Sequence, residues 1–236
     1  IVENFFAGVE VALEGLLNHG QLHPLAIFDK PDPLDGPFFE ETIYVTPSRL
    51  PAEAQNWIIK STEQACAALG LREGPIHAEL RFALTPNPIS RGESELSGIV
   101  VEVAARSIGG LCSRILRFAQ SQSATLEELI LRQAVGLELN VQREAQAGGV
   151  MMIPIPAAGL LQEVSGVEAA RRVPLIEEVE ITAPLNYPLV PPPEGDSYLG
   201  FIFARGQTPA AVEAALREAH QHLQFTITPE IPLVLV

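Results

Sequence analysis

Two short runs constrain the fold more than any other feature of the chain: Pro75-Ile76-His77-Ala78-Glu79-Leu80-Arg81 and Val100-Val101-Glu102-Val103-Ala104-Ala105-Arg106-Ser107-Ile108-Gly109-Gly110. Each sets one carboxylate in an apolar, β-branched stretch that reads as a strand. An unpaired charge in such a stretch is too costly to bury, so each run demands a cation partner. Two readings meet the demand. In the first, neighbouring strands aim Glu79 and Glu102 into one pocket, where two hard oxygen ligands on rigid strands suit Mg²⁺. In the second, both glutamates face solvent or pair with Arg81 and Arg106, as structural ion pairs commonly do.

The surrounding pattern is antiparallel. Val9 to Leu17 reads as a strand, Asn18-His19-Gly20 as a turn, and Leu22 to Phe28 as the hairpin partner. Pro31 to Pro37 is a loop, because three prolines and a glycine forbid a ladder, and Phe38 to Val45 resumes a strand. Ala54, Trp57, Ile58, Ser61, Ala65, Ala68 and Leu69 recur at helical spacing between Pro51 and Gly70. Thr125, with Glu127 and Glu128 behind it, caps a second helix running to about Val135. Beyond Gly136 the spacing predicts strands at Val150–Pro156, Leu175–Thr182 and Tyr198–Ala204. A helix follows from Thr208 to about Leu223, then a short strand at Phe225–Thr228. The proline-rich run Pro188–Gly195 is a loop inside this part. No internal repeat stands out. The expected division is 1–137 and 138–236.

At 236 residues and 47% hydrophobic content the chain can bury a substantial core. A net charge of −14 argues against a nucleic-acid partner, since a phosphate backbone demands clustered Lys and Arg. The longest apolar stretches, such as Val150 to Leu161, are too short and too broken by proline to span a bilayer, so no membrane partner is expected. Cys66 and Cys112 make no disulfide framework, which points to a reducing, cytoplasmic setting. Ile1 is not a methionine, no signal segment follows, and Ile1-Val2-Glu3 already reads as a strand; a fragment starting inside a domain is expected.

Chemistry-bearing residues are few. Arg106 precedes Gly109-Gly110 and a segment, Leu111 to Phe118, that looks helical; glycines at a helix N-terminus and a nearby Arg can together hold an anion. The alternative is a surface Arg beside an ordinary turn. On pattern alone Glu10 is the wet face of a hairpin and Lys30 a turn lysine. His77 shares a strand face with Glu79, as packing or an outer partner of that carboxylate, with a His/Glu metal pair as the sharper reading. Cys112 is read as inert. His19, His23, His220 and His222 show no metal-ligand partners.

Glu79, Glu102 and Arg106, taken with Val2-Glu3-Asn4-Phe5-Phe6-Ala7-Gly8-Val9-Glu10 and Ala26-Ile27-Phe28-Asp29-Lys30, resemble the carboxy-terminal lobe of an ATP-grasp ligase. The resemblance is nearest to the amino-acid ligase branch that includes carnosine-synthase-like and L-amino-acid ligases. It implies an α+β fold: a carboxy-terminal lobe built on an antiparallel sheet with packed helices, plus a small α+β C-terminal appendage. It further implies ATP and Mg²⁺, with Mn²⁺ as an alternative ion. Glu3, Phe5 and Phe6 stand where the hinge strand meets adenine, Glu10 matches the ribose carboxylate, and Lys30 matches a lysine over the nucleotide phosphates. Glu79 and Glu102 match the metal carboxylates. Arg106, with the Gly109 and Gly110 amides, matches the group that stabilises an acyl phosphate. Phe38-Phe39-Glu40-Glu41-Thr42 resembles a segment of the amino-acid pocket, with Glu41 for the substrate ammonium and Tyr44 beside it.

One departure limits this implication. The family's Glu-x-Asn-x-Arg stands here as Glu102-Val103-Ala104-Ala105-Arg106, so the amide oxygen of a second metal site is missing. The family's amino-terminal lobes, with the first ATP lysine and a glycine-rich loop, are expected ahead of Ile1; the fragment alone is expected to bind nucleotide poorly and not to turn over. The implied activity is ATP-dependent carboxylate–amine ligation through an acyl phosphate, joining small-molecule acids and amines, amino acids among them. The rival is a degenerate ATP-grasp that binds nucleotide or an amino acid as a regulatory module. Quaternary state stays open, a homo-oligomer included.

Overall fold

The first strand alternates strictly, and the alternation decides which side of the sheet each residue meets. The computed structural model describes residues 4–34, 40–83, 97–119, 124–137, 141–195 and 197–229. Its strands are β1 (Val9–Asn18), β2 (Gln21–Asp29), β3 (Ile43–Thr46), β4 (Gly74–Ala83), β5 (Ser97–Ala104), β6 (Ala147–Ile153), β7 (Gly159–Ser165), β8 (Ile176–Ile181), β9 (Pro188–Leu189), β10 (Gly200–Gly206) and β11 (Gln224–Thr228). The helices are α1 (Ala52–Ala68), α2 (Leu126–Ala134), α3 (Val167–Arg171) and α4 (Pro209–His222), with one 3₁₀ turn at Cys112–Ile115. Eight strands form one sheet in the order β5-β4-β1-β2-β3-β6-β10-β8, and β11-β7-β9 form a smaller one. Every pairing in both is antiparallel. The result is the expected α+β architecture. Because β3 pairs with β6, strands from 1–137 and from 138–236 share a single sheet.

Odd residues of β1 (Val11, Leu13, Leu17) pack with Ala54, Ile58 and Cys66 of α1. On the same face farther along, Ile43, Val45, Met151, Ile153, Ile202 and Ala204 meet Val212, Leu216 and Ala219 of α4. A Cβ on Gly149 would lie 2.5 Å from Val212 Cγ1 and 3.0 Å from Leu216 Cδ1, so α4 rests there on bare backbone. The opposite face carries Ala12, Leu16, Phe28, Tyr44, Val150, Met152, Phe201 and Phe203, covered by the 3₁₀ turn and by Leu126 and Leu129 of α2. Both faces of the central strands are therefore buried. Any charge on them must find its partner inside the protein.

Local signals explain the elements. Thr125 caps α2 by accepting from Glu128 N, and Thr208 caps α4 by accepting from Ala211 N, with Pro209 in the first turn. In α1 the buried stripe is Ala54, Ile58, Thr62 and Cys66, not the Ser61, Ala65 and Leu69 line; Leu69 is exposed, and the Thr62 hydroxyl is accommodated by donating to Ile58 O. Four expectations are corrected. Leu111–Phe118 is not a helix beyond the single 3₁₀ turn, because Gly110 and Leu111 both adopt φ of 60° and Phe118 turns into bridges with Ala124 and Arg143. Of the segment expected as a strand from Phe38, the described part enters a strand at Ile43, and Phe38 and Phe39 lie outside the described residues. The strand expected at Val150 begins at Ala147, where Gly148 and Gly149 pair with β10. The run Pro188–Gly195, expected as a loop, opens with the two-residue strand β9, paired with β7. The Ile1-Val2-Glu3 strand lies outside the described residues.

Candidate active site

Even residues of β1 place Glu10 and Glu14 on the face opposite α1, and the register carries their neighbours onto the same face. Glu10 pairs with Arg81, Ala12 with Glu79 and Glu14 with His77. On the next strand Glu79 faces Glu102 and His77 faces Ala104. Lys30, just past the end of β2, and Tyr44 of β3 complete the patch.

Lys30 is its centre. Its Nζ lies 2.7 Å from Glu10 Oε1 and 3.2 Å from Glu79 Oε1, and it donates a further short bond to Glu41. The ammonium also sits 5.2 Å from the Tyr44 ring centroid, and the Tyr44 hydroxyl donates to Glu41 Oε1 at 2.5 Å. Arg81 Nε donates to Glu10 Oε2, while its other nitrogens reach Leu34 O at 2.8 Å and Phe6 O at 3.4 Å. Phe5 lies against the Arg81 guanidinium at 5.1 Å. Farther along the face, Glu14 accepts from the Ile108 backbone N–H, and its Oε2 lies 3.2 Å from His77 Nδ1. His77 Nε2 lies 3.4 Å from Glu79 Oε1.

The protonation states follow from these partners. Burial works against a charged Lys30, but Glu41, Glu79 and Glu10 outweigh it and hold the ammonium above its ordinary range. Burial would also lower His77; hydrogen bonds with Glu14 and Glu79 raise it instead to about 9. Burial raises Glu79, yet the His77 hydrogen bond and the Lys30 charge pull it down to about 2. Desolvation dominates at Glu14 and raises it above the usual carboxylate range. Burial, then the Glu41 and Glu79 charges, keep the Tyr44 phenol firmly protonated.

The sequence-derived site is thus only partly assembled as expected. Glu10, Lys30, Glu41, Tyr44 and Glu79 converge. Glu10 is not a wet hairpin face and Lys30 is not a turn lysine; both are buried. Arg81 pairs with Glu10, while Glu79 pairs with Lys30 and His77. Glu102 and Arg106 stand at the edge of the patch, with side chains 55% and 57% exposed and a loose contact of 3.7 Å between them. Arg106 Nη1 donates to Ser107 O at 3.0 Å. Gly109 and Gly110 lie in a turn whose Gly109 O accepts from Cys112 N, and no α-helix N-terminus stands behind them. Glu3, Phe38 and Phe39 lie outside the described residues. Glu14 and Arg81 were not singled out as site residues. Their signal was parity, since residues 10 and 14 of one strand and 77, 79 and 81 of its neighbour must share a face.

A divalent cation can be tested against this donor set. Glu10, Glu41 and Glu79 offer oxygens within 4.8 Å of one another, but Lys30 Nζ already binds all three. The inner position belongs to an ammonium. At the outer edge Glu79, kept ionised, stands directly across from Glu102, and two hard oxygen donors on adjacent strands fit Mg²⁺.

Comparison with known proteins identifies the class. Residues 1–115 match the ATP-grasp domain and residues 151–228 match the L-amino acid ligase C-terminal domain 2. Over these two segments, which together make up most of the chain, it is similar to ATP-grasp ligases of the L-amino-acid-ligase kind. The crystal structure of an L-amino acid ligase from Bacillus licheniformis superposes with a TM-score of 0.78 at 28% identity, covering 95% of this chain and 53% of that one. Alanine–anticapsin ligase of Bacillus subtilis (strain 168) is 32% identical over 78 residues, 33% of this chain and 16% of that protein. Phosphoribosylglycinamide synthetase from Anaerococcus prevotii shares the fold, with a TM-score of 0.70 at 13% identity over 95% of this chain and 55% of that one. The chain spans about half the length of these solved structures. Among the described residues no helix is long and apolar enough to cross a membrane.

Proposed function

We propose that the protein containing this chain is an ADP-forming carboxylate–amine ligase that joins amino acids or similar small molecules through an acyl phosphate. The observation that carries the reading is the ionised Glu79 facing Glu102, inside the segment that matches the ATP-grasp domain. Glu79 and Glu102 would hold Mg²⁺, which when bound would supply neutralisation of the charge on the ATP phosphates. Mn²⁺ suits the same donors.

The chain's own groups divide the remaining work. Glu10, with Phe5 and Phe6, lies toward the nucleotide, and the resemblance adds Glu3. Lys30, bonded on three sides, holds the carboxylates of Glu10, Glu41 and Glu79 together in place of the direct phosphate contact expected of it. Glu41, its carboxylate oriented by the Tyr44 hydroxyl, receives a substrate ammonium. Arg106 is exposed and free to swing toward an acyl phosphate, with the Gly109 and Gly110 amides beside it for the oxyanion that forms when the amine attacks. Attack by the amine forms the C–N bond, and phosphate leaves. In this reading 1–137 is the carboxy-terminal lobe and 138–236 the α+β subdomain.

The test is amino-acid-dependent ADP release by the full-length protein, with mass-spectrometric detection of the amide product. Wild-type ligation that Glu102→Ala abolishes supports the assignment; retained activity in that variant refutes it. Ala104 favours a second reading, a nucleotide- or amino-acid-binding module, because it offers no oxygen opposite His77. Ligand-induced thermal shift without ADP release would select it.

A further inference from the structure

Glu14 and His77 are given no contact with substrate or metal above, yet they are among the most deeply placed ionisable groups of the described residues. The Glu14 side chain has 0% exposure and that of His77 5%. A carboxylate so placed costs several kcal/mol unless its oxygens are met. Both are: the Ile108 backbone N–H lies 3.2 and 3.1 Å from the two oxygens, and His77 Nδ1 lies 3.2 Å from Oε2. The other ring nitrogen of His77 lies 3.4 Å from Glu79 Oε1. One continuous path of hydrogen-bonding groups therefore runs from the Ile108 amide through Glu14 and His77 to Glu79. Ile108 follows Arg106 by two residues and precedes Gly109 by one.

The covalent route between these points gives no such tie. After Ala104 the backbone leaves β5, and Ala105 to Gly109 lie in bends and irregular structure. Among the described residues, Arg106 makes a loose contact to Glu102 and a bond to Ser107 O. The Glu14 carboxylate, 94 residues away in sequence, fixes where this turn leaves the sheet. The imidazole in turn sets the direction of the Glu79 carboxylate, since a group gripped by two cationic donors, His77 and Lys30, has little rotational freedom left.

We propose that Glu14 and His77 are positioning residues: Glu14 anchors the Arg106–Gly110 turn through the Ile108 amide, and His77 locks that anchor to the orientation of Glu79. The proposal rests on the ligase reading for what Glu79 and Arg106 do. Its mechanical half, the tie between Glu14 and Ile108, stands on geometry alone.

Two measurements on the full-length protein test it. Amide hydrogen exchange without nucleotide reads the anchor. Glu14→Ala should speed exchange at Ile108 about tenfold or more while β10 and α4 keep wild-type protection, the signature of a local tie. Unchanged exchange at Ile108, or uniform acceleration everywhere, overturns the anchor. Mn²⁺ titration by electron paramagnetic resonance, with a non-hydrolysable ATP analogue, reads the orientation of Glu79. His77→Ala should weaken Mn²⁺ binding about tenfold, within the range typical of partners that orient metal ligands, and His77→Gln should recover part of it. Glu14→Gln/His77→Gln replaces the charged pair by a neutral hydrogen-bonded one, so a folded variant is available even where alanine is not tolerated. Wild-type affinity in all of these variants overturns the positioning role while leaving the ligase reading intact. A wild type that binds no Mn²⁺-nucleotide overturns the ligase reading and the orienting role of His77 together, and exchange at Ile108 still judges the anchor by itself.

Discussion

Replacing Lys30 by methionine keeps the length of the side chain and removes the charge at the centre of the patch. Lys30→Met leaves Glu10, Glu41 and Glu79 with oxygens within 4.8 Å of one another and no ammonium among them. At an effective dielectric of about 20, two unit charges at that separation repel by roughly 3 kcal/mol. Glu10 keeps Arg81 and Glu79 keeps His77, which offsets part of the repulsion. Glu41 keeps only the Tyr44 hydroxyl among the partners seen here. A net loss of about 3–5 kcal/mol at pH 7.5 follows, the size usual for breaking a buried pair. The pH dependence is the sharper signature. The variant can relieve itself by taking up protons, so its deficit should shrink between pH 7.5 and pH 5, whereas the wild-type Glu79 stays ionised down to about pH 2. Urea unfolding, followed by the fluorescence of Trp57 against Phe82, measures both quantities. A deficit below about 1 kcal/mol, or one that is the same at both pH values, would refute the argument that Lys30 holds the three carboxylates together.

Three further outcomes are expected. His77 has a folded-state pKa of about 9 against an ordinary 6.5, so its stabilisation is complete below pH 6.5 and is lost as pH rises through 9. The urea midpoint should fall across that window by the equivalent of up to about 3 kcal/mol, and His77→Gln should flatten the profile there. Gly149→Ala should destabilise by about 1–3 kcal/mol, because the added methyl meets Val212 and Leu216 on a packed helix; a wild-type melting temperature would show that α4 can step back from β6. Thr125→Ala should cost about 1 kcal/mol and raise hydrogen exchange first at the start of α2, where Glu128 N loses its acceptor.

Much of the fold was legible because its signals are local. The β1–β2 hairpin follows from alternation around Asn18-His19-Gly20, α1 from its punctuation by Pro51 and Gly70, and α2 from its cap at Thr125. The site was less legible because its decisive contacts are not local. Whether Glu10 faces water or a lysine depends on residues 20 and 71 positions away, and no window around Val9–Leu13 contains them. Pattern could place a carboxylate in an apolar strand but could not say that both faces of that strand are covered. The misread segment at Leu111 shows the converse. Its composition suits a helix, but the two left-handed residues at its start, Gly110 and Leu111, point the chain elsewhere, and leucine gives no warning of that. The resemblance named the candidates, whereas register decided which of them touch.

The charges of the patch also bear on what it is for. Among the described residues, Glu10, Glu14, Glu41 and Glu79 are four carboxyl groups, and Lys30, Arg81 and a protonated His77 are the cations bonded to them. A network serving stability alone has no reason to leave one carboxylate in excess, since like charges in a buried cluster repel and neutral packing is commonly as stable. The excess lies toward the open edge, where Glu79 and Glu41 are its least buried members and Glu102 stands across from Glu79 without adding net charge, because Arg106 accompanies it. That edge is where an incoming cation or ammonium gains most. The imbalance therefore supports a site made to receive positive charge, a metal at Glu79 and Glu102 and an amino group at Glu41. Ala104 bounds the claim on the metal side: opposite His77 it presents a methyl group and no oxygen for a second ion.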